Sequence, residues 1–292
     1  MNKINNGNIL FNYLANNCNP NGNPAEENMP RITSDGRIEV SDLRLKRYIR
    51  DELIRNGHEV YVSKILDGKS SLSNNAKHIM SKDRVKNSSH LHEFTDVRMF
   101  GGVYAKTGDK YHLTGPIQFS YGNSFEQDVE IIESKIITTF KTSEGKDNSV
   151  GSMGKDYRIK SATIGFDGSI SARNAEHTGM TTEDLDLFDE AMEYGIIMSK
   201  SRSKRGQFPL VYMRLEYNDG VSFFSRNLTE FISQKDDSQD YSELMIYLSE
   251  IEDKIKKVYL VYDKRYFTQN IEPLQNIFGE RLFAKEFFAK IK

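Results

Sequence analysis

The residues best suited to chemistry in this chain are the cations Arg44, Lys46, Arg47 and Arg50, crowded into one short stretch headed by Ser41. Guanidinium and ammonium groups at that density suit phosphate, which they hold through charge-assisted hydrogen bonds. Ser41 can cap the first turn of a helix, and the free amides there add partial positive charge. A phosphate could sit beside Ser41 with the nearby cations closing around it. A solvated amphipathic helix fits the same pattern. A second basic run, Ser199 to Gly206, carries Lys200, Arg202, Lys204 and Arg205 with no acid, whereas Lys235 to Asp240 is mostly acidic. The formal net charge of −2 argues against indiscriminate polyanion binding, so any contact with nucleic acid must come from such local segregation. The basic run could track RNA, meet a partner subunit, or be a solvated helix end.

The elements that must position these groups can be read from periodicity. Leu45, Ile49 and Leu53 recur at four-residue intervals and supply the inward face of the basic helix, which leaves Arg44, Lys46, Arg47 and Arg50 near solvent. Upstream, Asn8 to Asn16 reads as a strand, followed by a turn-rich loop from Asn17 to Pro24. Glu59 to Ile65 reads as a second strand, and Asp67 to Ser89 as a polar excursion with a short helix. Further strands are expected at Gly115–Ser120, Glu130–Phe140 and Arg158–Phe166, with a mobile projection between Lys141 and Asp156. Thr181 and Thr182 open an amphipathic helix through Leu185, Phe188 and Met192, and Phe208–Tyr217 alternates as a strand. This order is that of an α+β sandwich, a ferredoxin-like or RRM-like split βαβ core with long insertions. After Asn218, a helix through Leu244, Leu248, Ile251 and Ile255 leads to a strand at Val258–Tyr262, and Phe267 to Lys292 reads as largely helical.

Length and composition bound the remaining possibilities. A chain of 292 residues allows one elaborated domain or two small ones. No apolar run approaches the roughly 18 residues a bilayer span needs, which implies no membrane partner. The N-terminus lacks a signal-peptide pattern and Cys18 stands alone, so a cytoplasmic location is expected. His90 and His92 have no accompanying Cys or acid cluster to complete a metal shell. Phe100-Gly101-Gly102 lacks the rest of a phosphate loop and reads as a tight turn, and no nucleophile elbow is present. Neither a cofactor nor a resident metal is expected.

Several of these pieces occur together in a recognisable order. Asn19-Pro20-Asn21-Gly22-Asn23-Pro24, Pro30-Arg31, the Ser41–Arg50 helix, Thr114-Gly115-Pro116-Ile117-Gln118 and Ser201-Arg202-Ser203-Lys204 resemble the Cas-seven family. That family supplies the repeated backbone subunit of type I CRISPR surveillance complexes (Cascade), and the likeness is closest to the type I-B and I-C branches. It runs from about Ile9 to Tyr217. The resemblance implies a non-enzymatic, hand-shaped subunit with an RRM-like palm, inserted fingers and a thumb. On that pattern residues 1–292 form a single domain. Its palm is built from about 8–65 and 156–217, its finger and thumb insertions span about 66–155, and 218–292 is a C-terminal elaboration. Copies would assemble along one CRISPR RNA, hold its backbone, and leave its bases to pair with target DNA, with other Cascade subunits ending the filament.

The same resemblance assigns residues. Ser41, Lys46 and Arg47 match the helix-start hydroxyl and basic pair that contact guide phosphates. Arg44 and Arg50 share that helix, and Asn19, Asn21 and Arg31 lie in or just beyond the matching loop. Met153, Lys155 and Arg158 match a Met-Gly-basic thumb element, where Met153 could wedge between bases or sit as a buried hinge. Gln118 could reach a ribose or bond neighbouring backbone, and Lys200, Arg202, Lys204 and Arg205 are secondary candidates. Asn17 and Asn23 stand where the family often carries acids. Related type III subunits cleave RNA with an acid and a metal ion, which makes Glu26, Glu27 and Asp35 the suspects for a ribonuclease; no spacing makes them converge. A stand-alone single-stranded RNA-binding module is the remaining alternative.

Overall fold

The computed structural model describes residues 3–62, 87–106, 108–137, 153–199, 201–235 and 238–288. Its strands are β1 (Gly7–Cys18), β2 (Gly22–Asn23), β3 (Met29–Ile32), β4 (Ile38–Val40), β5 (Gly101–Lys106), β6 (Asp109–Thr114), β7 (Ile117–Phe119), β8 (Gly122–Ser124), β9 (Ile131–Ile137), β10 (Met153–Ile170), β11 (Gln207–Tyr217), β12 (Ser233–Lys235), β13 (Ser238–Asp240), β14 (Ile255–Tyr262) and β15 (Leu282–Glu286). The helices are α1 (Asp42–Arg55), α2 (Thr95–Phe100), α3 (Ala172–Thr178), α4 (Thr182–Tyr194), α5 (Ser242–Glu250), α6 (Lys264–Phe267) and α7 (Ile271–Phe278).

One sheet organises the molecule, in the order β15-β14-β11-β1-β10-β8-β4-β3-β2, with β7 and β9 also paired to β10. β1 lies between β10 and β11, antiparallel to both. Its apolar alternation explains why it is central: Ile9, Phe11, Tyr13 and Ala15 point into one core and Leu10 into another. The first core is closed by Leu45, Tyr48 and Ile49 of α1 and Phe188, Ala191 and Met192 of α4. The second is closed by Leu244 and Leu248 of α5 and Leu274 and Phe278 of α7. Two buried polar residues of β1 find partners across the second face, where Asn12 Nδ2 donates to Tyr241 Oη (3.1 Å) and Asn8 Oδ1 accepts from Tyr217 Oη (2.8 Å).

Helix starts follow the sequence closely. Ser41 Oγ accepts from Arg44 N (3.3 Å), and Thr181 forms a capping box with Asp184 at the head of α4. Elsewhere the chain departs from expectation. β11, expected to alternate, is buried on both faces: Tyr212 and Arg214, the latter ion-paired with Asp189 of α4 (2.6 Å), on one side, and Val211, Met213 and Leu215 in the core closed by the C-terminal helices on the other. The helix expected through Ile255 stops at Glu250, and Ile255 instead begins β14. Instead of a largely helical tail, α7 ends at Gly279, whose φ of +53° suits glycine, and β15 adds in parallel to β14. Glu59–Ile65 contributes only a bridge at Val62 among the described residues. Most of the Asp67–Ser89 excursion and of the Lys141–Asp156 projection lies outside them.

Candidate nucleic-acid interface

The end of β1, the following loop, the start of α1 and the segment before β11 meet at one junction. Asn17 adopts φ +48°, a left-handed conformation that Asn tolerates, just before β1 ends at Cys18, which still pairs with Ile159 of β10. The loop is then tied to the distant basic run: Asn16 N donates to Gly206 O (2.8 Å) and Asn19 N to Ser203 O (2.9 Å). Lys204 Nζ donates to the carbonyls of Asn19 and, at 3.1 Å, Pro20. From the other side, Ser41 Oγ donates to Asn21 Oδ1 (3.3 Å), and Asn19 Nδ2 donates to Asn28 O (2.7 Å). Asn19, Asn21, Ser41, Arg44 and Lys204 are therefore brought together from three separate stretches of sequence.

The electrostatics of this junction are unusual. Arg44 lies over the Tyr48 ring, 4.3 Å from its centroid, and Tyr48 Oη accepts from Gln207 Nε2 (2.9 Å). Among the described residues neither Arg31, Arg44 nor Lys204 is ion-paired to a carboxylate. The Nε atoms of Arg31 and Arg44 and the Oδ1 of Asn19 are buried without a hydrogen-bond partner. Burial, reinforced by the neighbouring Arg44 charge, pushes the Lys204 ammonium down to about 7, and burial pushes the Cys18 thiol up to about 11. An oxygen-rich anion such as a phosphodiester would meet the unpaired Arg31 and Arg44 donors and the Lys204 ammonium, because it supplies the negative charge and acceptors they lack, while leaving the Asn19 Oδ1 acceptor unmatched.

Two helix cations differ from expectation. Lys46 and Arg50, expected near solvent, are only 6 % and 8 % exposed. Lys46 Nζ pairs with Asp42 (3.1 Å), donates to Gln118 Oε1 (3.1 Å) and lies 5.7 Å from the Phe100 ring centroid. Arg50 pairs with the fully buried Asp96 (2.8 Å), whose carboxylate also accepts from the amides of Tyr61 (2.7 Å) and Val62 (3.2 Å). The reason is α2, which follows the excursion and packs against the helix face that periodicity alone left open. Removing Lys46 is accordingly a core change. Arg47 remains half-buried and pairs with Asp51 at 2.7 Å. Gln118 also donates to the carbonyls of Gly115 (3.1 Å) and Phe100 (3.4 Å), so its amide nitrogen is taken up by backbone and its Oε1 by Lys46.

The β9–β10 hairpin brings a second set of cations beside the loop. Lys155 pairs with Glu27 (2.8 Å), which also accepts from Tyr157 Oη (3.1 Å). Arg158 donates to Asn17 Oδ1 (3.1 Å) and Ser134 Oγ (3.0 Å) and pairs with Asp156 (3.4 Å). Asp156 also pairs with the exposed Arg202 (2.8 Å). Arg205 is exposed, Met153 pairs its backbone with Ile137 at the hairpin's edge, and Lys200 and the Met153 side chain lie outside the described residues. Sequence reasoning missed Glu27 and Asp156 as the carboxylates that hold these cations, and Asn28 as the anchor of Asn19. Their roles depend on contacts between remote segments that no local pattern reports.

The acids suspected of nuclease chemistry are held by different partners, Asp35 by Thr33 and Arg37, Glu27 by Lys155 and Tyr157. Among the described residues no group of three or more His, Cys, Asp or Glu side chains is placed to hold a metal ion. No helix among them is long and apolar enough to cross a membrane.

Comparison with known proteins agrees with this architecture. A family model described as CRISPR-associated protein Cas7 matches residues 5–252. A CRISPR-associated protein Cas7 of Haloferax volcanii is 29 % identical over 303 residues, covering 91 % of this chain and 89 % of the relative. Two solved structures have a similar fold, each with a TM-score of 0.54: a chain of a CRISPR RNA-guided surveillance complex, 14 % identical with 88 % of each chain covered, and a chain of such a complex in a pre-nicking state, 12 % identical with 88 % and 92 % covered. The family match takes in β1 to β13, α1 to α5 and the whole junction, with β14, β15, α6 and α7 lying beyond it, and the chain belongs to the Cas7 family of CRISPR-associated proteins.

Proposed function

We propose that this chain is the CRISPR RNA-binding backbone subunit of a type I Cascade complex, of the I-B or I-C kind. Copies of it polymerise along the guide and present its bases for pairing with target DNA, beside other Cascade subunits that end the filament. The observation that carries this reading, in a chain of this family, is the junction of Ser41, Arg31, Arg44 and Lys204, where cations and buried donors lack an anionic partner. One guide phosphate beside Ser41 would meet the first-turn amides of α1, the Arg44 guanidinium and the Lys204 ammonium. Phosphates on either side would exchange with Glu27 and Asp156 for Lys155, Arg158 and Arg202, while Asn19, Asn21 and Gln118 position the path. Arg47 and Arg205 lie within reach as surface cations, and Lys46 and Arg50 act by setting the helix.

In this reading the palm is RRM-like. The order β11-β1-β10-β7, with α1 and α4 on one face, is what a split βαβ core would give. In this reading the subunit does not cleave RNA: of the suspected acids, Glu27 is paired with Lys155 and Asp35, apart from it, with Arg37. Negative-stain imaging with and without a CRISPR RNA tests the proposal: long regular assemblies should form only with RNA. Saturation as isolated one-to-one complexes would favour a solitary RNA-binding module, and chelator-sensitive cleavage of a strand complementary to the guide would establish a nuclease.

A further inference from the structure

An open groove between β6 and α3 is lined by Tyr111, His112, Arg173, Asn174 and His177 and lies apart from the Ser41 junction. No carboxylate lines it. Glu176, the one acid on α3, lines a separate hollow with Lys3 and Met180. His112, Arg173 and His177 are exposed, and among the described residues none of the three is in an ion pair. Tyr111 is 36 % exposed, with its ring backed by that of His92 at a centroid distance of 6.3 Å. His92 is itself fixed, its Nδ1 lying 3.1 Å from Thr178 O. The groove thus offers an aromatic face, a planar guanidinium, two imidazoles and an amide. These are groups that stack on a base and hold the adjoining phosphate.

Its placement strengthens that match. Gly115 O accepts from Asn174 Nδ2 (3.5 Å) at the groove and from Gln118 Nε2 (3.1 Å), whose Oε1 in turn accepts from Lys46 (3.1 Å). Only glycine permits this bridge, because a Cβ at position 115 would stand 2.1 Å from the Phe100 carbonyl carbon. One peptide unit therefore joins the groove to the Gln118 end of the proposed guide path.

We propose that this groove seats a nucleotide of a single-stranded polynucleotide, with Tyr111 against the base and Arg173 and His177 on the phosphate, so that the nucleic-acid path continues across β6 and α3. The proposal rests on the guide-binding reading. The strand could be the guide itself or a strand paired with it, and the test has an arm for each.

Fluorescence anisotropy of the full chain would use a labelled single-stranded RNA alone and the same RNA with complementary DNA, over a range of salt. Arg173→Ala with His177→Ala should weaken binding about tenfold and reduce the salt slope by roughly 0.7 for each phosphate released. Tyr111→Leu should weaken binding with the salt slope unchanged, and both variants are at exposed positions where the fold tolerates change. A loss seen with RNA alone assigns the groove to the guide, and a loss seen only with DNA present assigns it to the paired strand. Wild-type affinity for both variants in both arms overturns the proposal. If Arg44→Ala weakens binding in that same experiment, the guide-binding reading stands without the groove; if the wild-type protein binds no RNA, both fall.

Discussion

Lys204 should make guide binding depend on protons. In the free protein its ammonium titrates near 7, because it is buried and because Arg44 repels it. A phosphate arriving between the two cations cancels that repulsion and favours the charged form, so the bound pKa lies above the free one. Binding therefore takes up a proton wherever the pH exceeds about 7, and affinity falls as pH rises. If phosphate restores the ordinary lysine value of about 10.4, affinity changes only about twofold from pH 6 to 7. It then falls about fivefold from pH 7 to 8 and about ninefold from pH 8 to 9. Cys18, pushed up to about 11, stays protonated through this window. Anisotropy with a labelled single-stranded RNA at fixed ionic strength measures the effect. Lys204→Arg stays charged throughout and should flatten the profile, and Lys204→Met should be both weak and flat. A wild-type profile that is level from pH 7 to 9, matching Lys204→Arg, would refute the placement of phosphate beside Lys204.

Three further outcomes follow from the buried groups. Arg50→Ala leaves Asp96 charged and sealed in the core, and should cost about 3–5 kcal/mol in denaturant unfolding rather than acting as a surface change. Ser41→Ala removes the cap on α1 and should cost about 1 kcal/mol of stability by the same measurement, together with RNA affinity. Asp167 is held up to about 6 by burial and by the nearby Glu230 charge. The folded state therefore binds the extra proton between the ordinary carboxylate range and about 6, and the cost of burying the charge is present above that window. Asp167→Asn should raise stability by about 1–2 kcal/mol at pH 7, and thermal melts should show the gain vanishing as pH falls through 6 towards 4.

Much of the fold was legible because it is local. Asn8–Asn16 and Phe208–Tyr217 announce strands by apolar content, and Ser41 and Thr181 announce helices by their capping hydroxyls. What could not be read was whatever depended on a remote element covering a surface. Lys46 and Arg50 look like solvent-facing cations until α2 brings Phe100 and Asp96 against them, and β11 looks half-exposed until α5 and α7 cover its far side. The β5–β6 hairpin left no signal strong enough to separate it from the polar sequence around it, and β15 was hidden because Leu282-Phe283-Ala284 also suits a helix. At the junction, Asn19, Asn21, Ser41 and Lys204 were all identifiable by type. Their convergence was not, since it depends on Lys204 reaching back to carbonyls of Asn19 and Pro20. Nor does any sequence pattern reveal that Arg31, Arg44 and Lys204 have no carboxylate partner among the described residues, whereas Lys155, Arg158 and Arg202 beside them do.

The most direct measurement is a three-dimensional reconstruction of the protein assembled on a CRISPR RNA. The account predicts a guide phosphate within hydrogen-bonding distance of the Ser41 end of α1 and of both Arg44 and Lys204 in successive subunits. RNA running along another face, with that junction empty, would contradict it.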